Sequence, residues 1–194
     1  MAEIRVAALV GSLRDGSYTQ PACRHALSVA AEFEAVETDL VDLRTLSLPI
    51  FDADVDDVAD AAELRSRLRS ADSIVLGSPV YHGSYSSALK NALDYCGFDE
   101  FEDTTVGLLC VAGGSFPTPT LDHLRSVSRA LDAWVVPHQV AIPRARECFE
   151  AGEITDAGVR DRVEVLGRRM VEYARIEPDP RTFESTQNVG ADGR

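Results

Sequence analysis

Five apolar segments recur along the chain, and each is followed by residues with helical spacing. In the first segment nearly every position is hydrophobic, which is typical of a central parallel strand that is covered on both faces. The last segment contains Pro137, which lacks an amide hydrogen, so an interruption is expected there. We expect strands at Ile4–Val10, Val36–Leu43, Ser73–Gly77, Thr105–Ala112 and Trp134–Ala141.

Apolar residues at helical spacing mark the segments that connect and follow these strands. The first helix is predicted to have Thr19 as its N-cap and Pro21 in its first turn. Its inward face is expected to carry Ala22, Ala26, Leu27, Ala30 and Phe33. Further helices are expected over Val58–Arg69, over Ser86–Tyr95, around Leu121, Leu124, Val127 and Leu131, and over Asp156–Arg175 with Val159, Val163, Leu166 and Met170 inward.

Strands that alternate with helices form a parallel sheet with right-handed crossovers. For five strands we predict a flavodoxin-like three-layer α/β/α sandwich with strand order 2-1-3-4-5. Its topological switch point, where ligands bind, lies between the first and third strands. The two loops richest in Gly, Ser and Tyr follow those strands, at Gly11–Thr19 and Pro79–Ser84. We expect one domain over residues 1–176 and a loose, Pro-containing polar tail over residues 177–194.

The chain carries 32 acidic residues against 19 basic ones, a net charge of −13. Such a surface repels nucleic acid and anionic lipid, so neither is expected as a partner, and small-molecule substrates are. Two explanations of the acidity stay open: an acidic proteome adapted to high salt, and a GC-rich genome that favours arginine over lysine. No apolar run approaches the roughly 20 residues of a membrane span, and the start lacks a cleavable signal layout, so a cytoplasmic location is expected.

The four cysteines form no CxxC pair and no metal-ligand spacing. We therefore expect no metal site, and buried reduced thiols at Cys23, Cys96, Cys110 and Cys148.

The loop Gly11–Thr19 has the composition of a phosphate site. It opens a helix, where exposed amides and the helix dipole attract an anion. Arg14 offers a charge-assisted contact, and hydroxyl donors stand at Ser12, Ser17, Tyr18 and Thr19. A Walker loop is excluded because Ser17 stands where its lysine is required, and the glycine fingerprint of dinucleotide sites is absent. Asp15 is expected to point to solvent, and a simple helix-capping turn is the alternative reading of the loop.

If a phosphate binds to this loop, a planar ring attached to it can extend towards two further loops, at Pro79–Ser84 and Gly113–Ser115. Pro79 fixes the first turn and Gly83 allows close backbone approach, so amides near Tyr81 and His82 are candidate donors to the ring. Tyr81 or Tyr85 is a candidate for stacking on the ring or for a subunit interface. The complete set of expected cofactor contacts in these two loops is Pro79, Val80, Tyr81, His82, Gly83, Ser84, Gly113, Gly114 and Ser115.

Three pieces of sequence resemble the NADPH-dependent FMN reductase family. The segment 79–94, Pro-Val-Tyr-x-x-x-Tyr-Ser-x-Ala-Leu-Lys-x-x-Leu-Asp, is similar to its flavin-contacting segment, and 11–19, Gly-Ser-x-Arg-x-x-Ser-x-Thr, to its phosphate loop. Leu-Pro-x-Phe at 48–51 recurs there as well. The resemblance covers roughly residues 4–143, and Val80, where many members have Glu, is typical of the branch that supplies flavin to sulfonate monooxygenases.

This resemblance implies an NAD(P)H-dependent reductase that binds FMN, with NADPH or NADH as co-substrate and a flavin, quinone or similar small acceptor. It also implies a homodimer or homotetramer, with the helix Ser86–Tyr95 near the interface. Lys90 and Asp94, four apart on that helix, are expected to form a surface or interface ion pair. No catalytic residue is expected, since hydride transfer to flavin needs no protein acid or base, although a catalytic His82 is an alternative. Rival functions are a flavodoxin-type electron carrier and a phosphate-ester hydrolase, the latter lacking a nucleophile in the first loop.

Overall fold

A computed structural model of the protein describes residues 3–55 and 58–176, with the side chain of Ala59 left out. Its main sheet has five parallel strands in the order β2-β1-β3-β4-β5, which confirms the predicted topology. The strands are β1 Ile4–Val10, β2 Val36–Asp42, β3 Ser73–Pro79, β4 Thr105–Val111 and β5 Trp134–Ile142. The predicted tail over residues 177–194 lies outside the described residues.

Helices follow the strands at the predicted places, and their bounds agree to within a few residues. The longer helices are α1 Thr19–Ala30, α2 Ala59–Arg69, α3 Ser87–Asp94, α5 Thr118–Ala130 and α7 Ala157–Glu172. Short elements that the sequence did not predict are a 3₁₀ helix at Leu43–Thr45, α4 Phe98–Phe101, α6 Ala145–Cys148 and an antiparallel hairpin of β6 Phe149–Glu150 with β7 Glu153–Ile154. The short elements after β5 continue the chain from the edge of the sheet towards α7.

Both faces of the sheet are covered, as the apolar strand pattern predicted. Alternate residues of β1 illustrate the division, since Val6, Ala8 and Val10 pack with α1 and α7, whereas Ala7 and Leu9 pack with α2, α3 and α5. The four residues predicted to form the inward face of the last helix are buried: Val159, Val163, Leu166 and Met170.

Two predictions for the first helix are wrong. Thr19 is the first helical residue rather than the N-cap, because Tyr18 already has helical dihedral angles, with φ −87° and ψ −15°. Phe33, predicted to face inward, is 38% exposed, because α1 ends at Ala30 and Phe33 lies in the turn beyond it.

Strand β5 passes through Pro137 without ending. The ladder with β4 instead shifts register there, so that Val106 pairs with Val135 and Leu108 pairs with Gln139. Two extra residues on the β5 side are accommodated as a bulge, which lets an edge strand contain a proline. The predicted interruption is therefore a bulge in a continuous strand.

The residues around Pro49 are held by hydrogen bonds with Asn91 of α3 and with Tyr95 at its end. Asn91 accepts a hydrogen bond from the Phe51 amide at 2.8 Å and donates to the Pro49 carbonyl at 2.7 Å. The Tyr95 hydroxyl also donates to that carbonyl, at 3.1 Å, and its ring meets Phe51 edge to face. The same helix carries the predicted ion pair between Lys90 and Asp94.

The four cysteines are free thiols, as expected; three are buried and Cys96 is partly so. Burial raises the pKa of Cys23 and of Cys110 to about 12 each, so both are un-ionised at neutral pH. Within the described residues no group of His, Cys, Asp and Glu could hold a metal ion. No described helix is both long enough and apolar enough to cross a membrane.

Candidate functional site

A cavity of about 320 Å³ lies at the carboxyl ends of β1, β3 and β4. Nine residues of the predicted cofactor site line it: Ser12, Arg14, Ser17, Tyr18, Thr19, Pro79, Val80, Tyr81 and Gly113. Four others lining it were not predicted: Gly16, Val111, Ala145 and Arg146. The predicted residues His82, Gly83, Ser84, Gly114 and Ser115 are in the loops beside the cavity but do not line it. The structure thus brings the first loop together with Pro79–Tyr81 and Gly113 at the switch point of the sheet.

The first loop turns sharply from β1 into α1 and presents polar groups to the cavity. Ser12 and Thr19 are almost fully buried, although each has a hydroxyl group. The Ser17 hydroxyl accepts a hydrogen bond from the Thr19 amide at 3.1 Å. Asp15 is fully exposed and points away from the cavity, as predicted, with Arg44 at 4.0 Å. The loop therefore offers hydroxyls and one guanidinium to a ligand, and no carboxylate.

A buried carboxylate anchors the start of α1 behind this loop. Asp42 accepts hydrogen bonds from the Gln20 side chain at 2.8 Å and from Arg44 Nε at 3.1 Å. Burial acts to raise the pKa of Asp42, but the hydrogen bonds from Arg44 and Gln20 outweigh it, so this pKa lies below its ordinary value. The anchor links the end of β2 to the first turn of α1.

Ser86 holds the first and second loops together. Its hydroxyl donates to the Gly11 carbonyl at 2.5 Å and accepts from the Leu89 amide at 3.1 Å, which also caps α3. Its amide donates to the Ser78 hydroxyl at 2.9 Å. A Cβ atom at Gly11 would lie 2.7 Å from the Cβ of Leu89, so glycine permits this close approach.

The second loop contains a tight turn from Tyr81 to Ser84. The two residues exchange backbone hydrogen bonds of 2.9 and 3.0 Å, and the central residues His82 and Gly83 both have positive φ, at 51° and 81°. Positive φ at both positions is the geometry of a type I′ turn. Because the Tyr81 amide donates to Ser84, it is not available to a ring in this conformation.

Contacts outside the turn fix its position. The Ser84 hydroxyl lies 3.0 Å from His123 Nδ1 on α5. Tyr85 packs against the core on the α3 side and does not line the cavity, whereas Tyr81 lines it and is 46% exposed. Of the two tyrosines, Tyr81 is the one placed beside the candidate ligand.

The third side of the cavity joins the loop after β4 to the segment after β5. The Arg144 amide donates to the Gly114 carbonyl at 2.9 Å, and the Ala145 amide to the Ala112 carbonyl at 3.0 Å. These bonds bring Ala145 and Arg146 to the cavity wall. The signal in the sequence that could have indicated these residues is the presence of two arginines, Arg144 and Arg146, shortly after the carboxyl end of β5.

The cavity is lined by positively charged residues, whereas the molecule as a whole is negatively charged. Two arginines line it, Arg14 and Arg146, and no Asp or Glu is among the described lining residues. The chain as a whole carries a net charge of −13. A cationic, hydroxyl-rich cavity on an acidic surface selects an anionic ligand.

A second, apolar groove of about 480 Å³ lies beside the first loop. Leu13 contributes to its wall from between Ser12 and Arg14, and Ile50 stands 89% exposed at its rim. The other residues that line it are Leu43, Leu46, Leu48, Ser87, Ala88, Lys90, Asn91 and Asp94. The first loop therefore faces the cationic cavity on one side and this groove on the other.

The strand order and the cavity at the switch point define a flavodoxin-like domain. The sequence model described as "NADPH-dependent FMN reductase" matches residues 4–147, and the chain belongs to this family. An FMN-dependent NADPH-azoreductase of Staphylococcus saprophyticus is 37% identical over 141 residues, 69% of this chain and 73% of that protein.

Two solved structures share the fold. An NADH:FMN oxidoreductase in its apo form superposes with a TM-score of 0.75 at 19% identity, over 90% of this chain and 92% of that one. An oxidoreductase from Corynebacterium diphtheriae superposes with a TM-score of 0.74 at 21% identity, over 92% of this chain and 100% of that one. Likenesses at this identity establish the flavodoxin-like fold, whereas the activity follows from the family.

The protein is thus an NAD(P)H-dependent flavin oxidoreductase that uses FMN, as predicted. The carrier alternative is not favoured, because the matching family is one of reductases. Assignment to the sulfonate-linked branch stays a prediction.

Proposed function

We propose that the cationic cavity holds FMN with its phosphate on the Gly11–Thr19 loop and its ring beside Pro79–Ser84 and Gly113–Ser115. One observation carries this proposal: two arginines line the cavity, and no carboxylate is among the described lining residues. A flavin phosphate carries close to two negative charges at neutral pH and would be repelled by the remaining surface. The buried hydroxyls of Ser12 and Thr19 are suited to donate to its oxygens.

The residues around the proposed ring leave room for a second planar molecule. A Cβ atom placed at Gly83, Gly113 or Gly114 would meet nothing within 4 Å. When bound, FMN supplies the chemistry of accepting a hydride and passing electrons to an acceptor. The chain would contribute position and orientation: Pro79 and the Tyr81–Ser84 turn would define one edge of the site, and Tyr81, which lines the cavity, would cover part of the ring. No protein acid or base is assigned, and His82 stays outside the chemistry.

We propose small organic acceptors, namely free flavin, quinones or azo compounds. The azoreductase name of the Staphylococcus relative supports the last of these classes. We further place the enzyme in the cytoplasm as one domain over residues 1–176, with NADPH or NADH as the donor.

We also propose that the protein is a homodimer, or a tetramer built from such dimers, paired through the apolar groove beside α3. The support is the concentration of exposed apolar side chains there, including Leu13 and Ile50, on a chain with a strongly charged surface. Lys90 and Asp94 line the same groove, consistent with an interface ion pair.

The test of the proposed activity is an anaerobic titration followed in the visible flavin band. We expect purified protein reconstituted with FMN to be bleached by NADPH or NADH within seconds, and air to restore the band. Steady oxidation of NADPH with added flavin, quinone or azo dye would then define the acceptor. Bound flavin that dithionite reduces but neither nicotinamide reduces would identify an electron carrier instead.

A further inference from the structure

Arg146 reaches the FMN cavity from an element that contributes no part of the phosphate loop. It lies in α6, after the last strand of the sheet, whereas Arg14 lies after the first. Both arginines are among the residues that line the same cavity, although they are more than a hundred positions apart in the sequence. The cavity is thus lined by two cationic residues that come from separate loops, one after β1 and one after β5.

The backbone before Arg146 is held in an uncommon conformation that directs α6 back to the cavity. Arg144 has left-handed dihedral angles, with φ 44° and ψ 50°. Such a conformation costs about 1 kcal/mol or more for a residue other than glycine and persists where surrounding contacts enforce it. Here the contacts are the bonds to the carbonyls of Gly114 and Ala112, together with the ring contact between Tyr18 and Phe149 at 5.1 Å.

A phosphate ligand carries more negative charge than one arginine neutralises, so a second guanidinium would strengthen its binding. A phosphate monoester carries about −1.5 to −2 charges at neutral pH, and Arg14 supplies one positive charge. No described carboxylate lies within 4.0 Å of the Arg146 guanidinium, whereas the neighbouring Arg144 is paired with Glu147 at 3.2 Å. Arg146 is therefore available to a ligand in a way that Arg144 is not.

We propose that Arg146 is a second phosphate-binding residue of this site. Its ligand group is a phosphate monoester, which two participants in the reaction carry: FMN at its 5′ end, and NADPH at its 2′ position. The inference rests on the proposed placement of FMN, and it adds a specificity-determining contact from outside the phosphate loop.

The test compares Arg146→Gln with the wild type and with Arg24→Gln. Arg24 is exposed on α1 and outside the cavity, so this control makes the same charge change without touching the site. Dissociation constants for FMN and riboflavin are measured by fluorescence quenching, and kcat/KM for NADPH and NADH at saturating FMN. Arg146→Lys is measured in parallel, since a lysine keeps the charge and should recover part of any loss.

We expect Arg146→Gln to weaken one phosphate-bearing ligand about tenfold while its phosphate-free counterpart is unchanged. If the affinity falls for FMN but not for riboflavin, Arg146 contacts the FMN phosphate. If kcat/KM falls for NADPH but not for NADH, Arg146 contacts the 2′-phosphate of NADPH. Equal effects within both pairs, or effects no larger than those of Arg24→Gln, would overturn the proposal. Arg14→Ala, measured in the same series, reports separately on the FMN placement, so that proposal can stand if this one fails.

Discussion

At the scale of single residues, the site depends on a few side chains whose polarity contrasts with their surroundings. Ser12 and Thr19 are buried hydroxyl residues beyond the carboxyl end of β1, whose last residues are apolar and buried. Arg14 is a cation that lines a cavity without carboxylates among its described residues. These polar side chains are the basis for the proposal that the cavity binds an anion.

The first prediction concerns Arg14. Replacing it with Ala should weaken FMN binding by about 1.5 to 3 kcal/mol, the usual contribution of a charge-assisted hydrogen bond, which is about a ten- to hundred-fold rise in Kd. Riboflavin, which lacks the phosphate, should bind almost unchanged. Fluorescence titration of both flavins measures the difference, and an equal loss for the two would place the phosphate elsewhere.

Residue-scale features were predictable where a local motif expresses them. The hydroxyls and arginine of the first loop follow one another in sequence, so a short segment revealed them. Arg146 was missed because its role depends on the left-handed turn at Arg144 and on bonds to the loop after β4. Likewise, no local pattern shows that the Tyr81 amide is used within its own turn.

At the scale of elements, the contact between α3 and the end of β1 positions the site. Gly11 lets the helix approach, and Ser86 bonds the two elements while capping α3. The loop after β1 and the loop after β3 are thereby held in a fixed relation. This contact is the structural basis on which both cavity walls depend.

The second prediction tests this contact with a pair of glycines from one loop. Gly11→Ala would place a Cβ 2.7 Å from the Cβ of Leu89, so we expect a loss of about 1 to 3 kcal/mol in the free energy of unfolding, typical of overpacking. Gly16→Ala meets nothing within 4 Å and should change stability by less than about 1 kcal/mol. Urea unfolding measures both, and equal losses would show that α3 is not held as described.

Elements themselves were largely predictable, because long apolar strands and helical spacing are strong local signals. The prediction failed where tertiary contacts decide. A bulge absorbs Pro137 within β5, and the hairpin Phe149–Glu150 with Glu153–Ile154 is too short to leave a pattern. The exposure of Phe33 followed from where α1 ends, which no cap residue marked in the sequence.

At the scale of the whole molecule, the third prediction concerns assembly. Light scattering should return at least a dimer's mass at micromolar concentration with FMN bound. Ile50→Asp, which places a charge at the rim of the apolar groove, should shift the protein towards monomer. It should also weaken FMN several-fold, because Leu13 joins that groove to the phosphate loop.

The matched control is Phe33→Asp. Phe33 is a partly exposed aromatic residue beyond α1, which covers the opposite face of the sheet from α3. Its replacement should leave the mass unchanged. A monomeric wild type, or equal dissociation by both variants, would remove the groove as the interface.

The fourth prediction concerns the net charge of −13. Self-repulsion among carboxylates reaches furthest in dilute buffer, where the screening length is about 30 Å at 0.01 M salt. We expect the Tm to climb steeply between dilute buffer and molar KCl. A sucrose series, which favours burial without screening charge, provides the control. A flat KCl profile would leave arginine-favouring codon usage as the better account of the composition.

The most direct test of the central claim is a crystal structure with FMN bound. The phosphate should lie within about 3 Å of the Ser12 and Thr19 hydroxyls and of the Arg14 guanidinium, with the ring beside Pro79–Tyr81 and Gly113. One face of the ring should remain open towards solvent for the nicotinamide. FMN bound in the apolar groove between Leu13 and Lys90, or with its phosphate away from the first loop, would contradict the account.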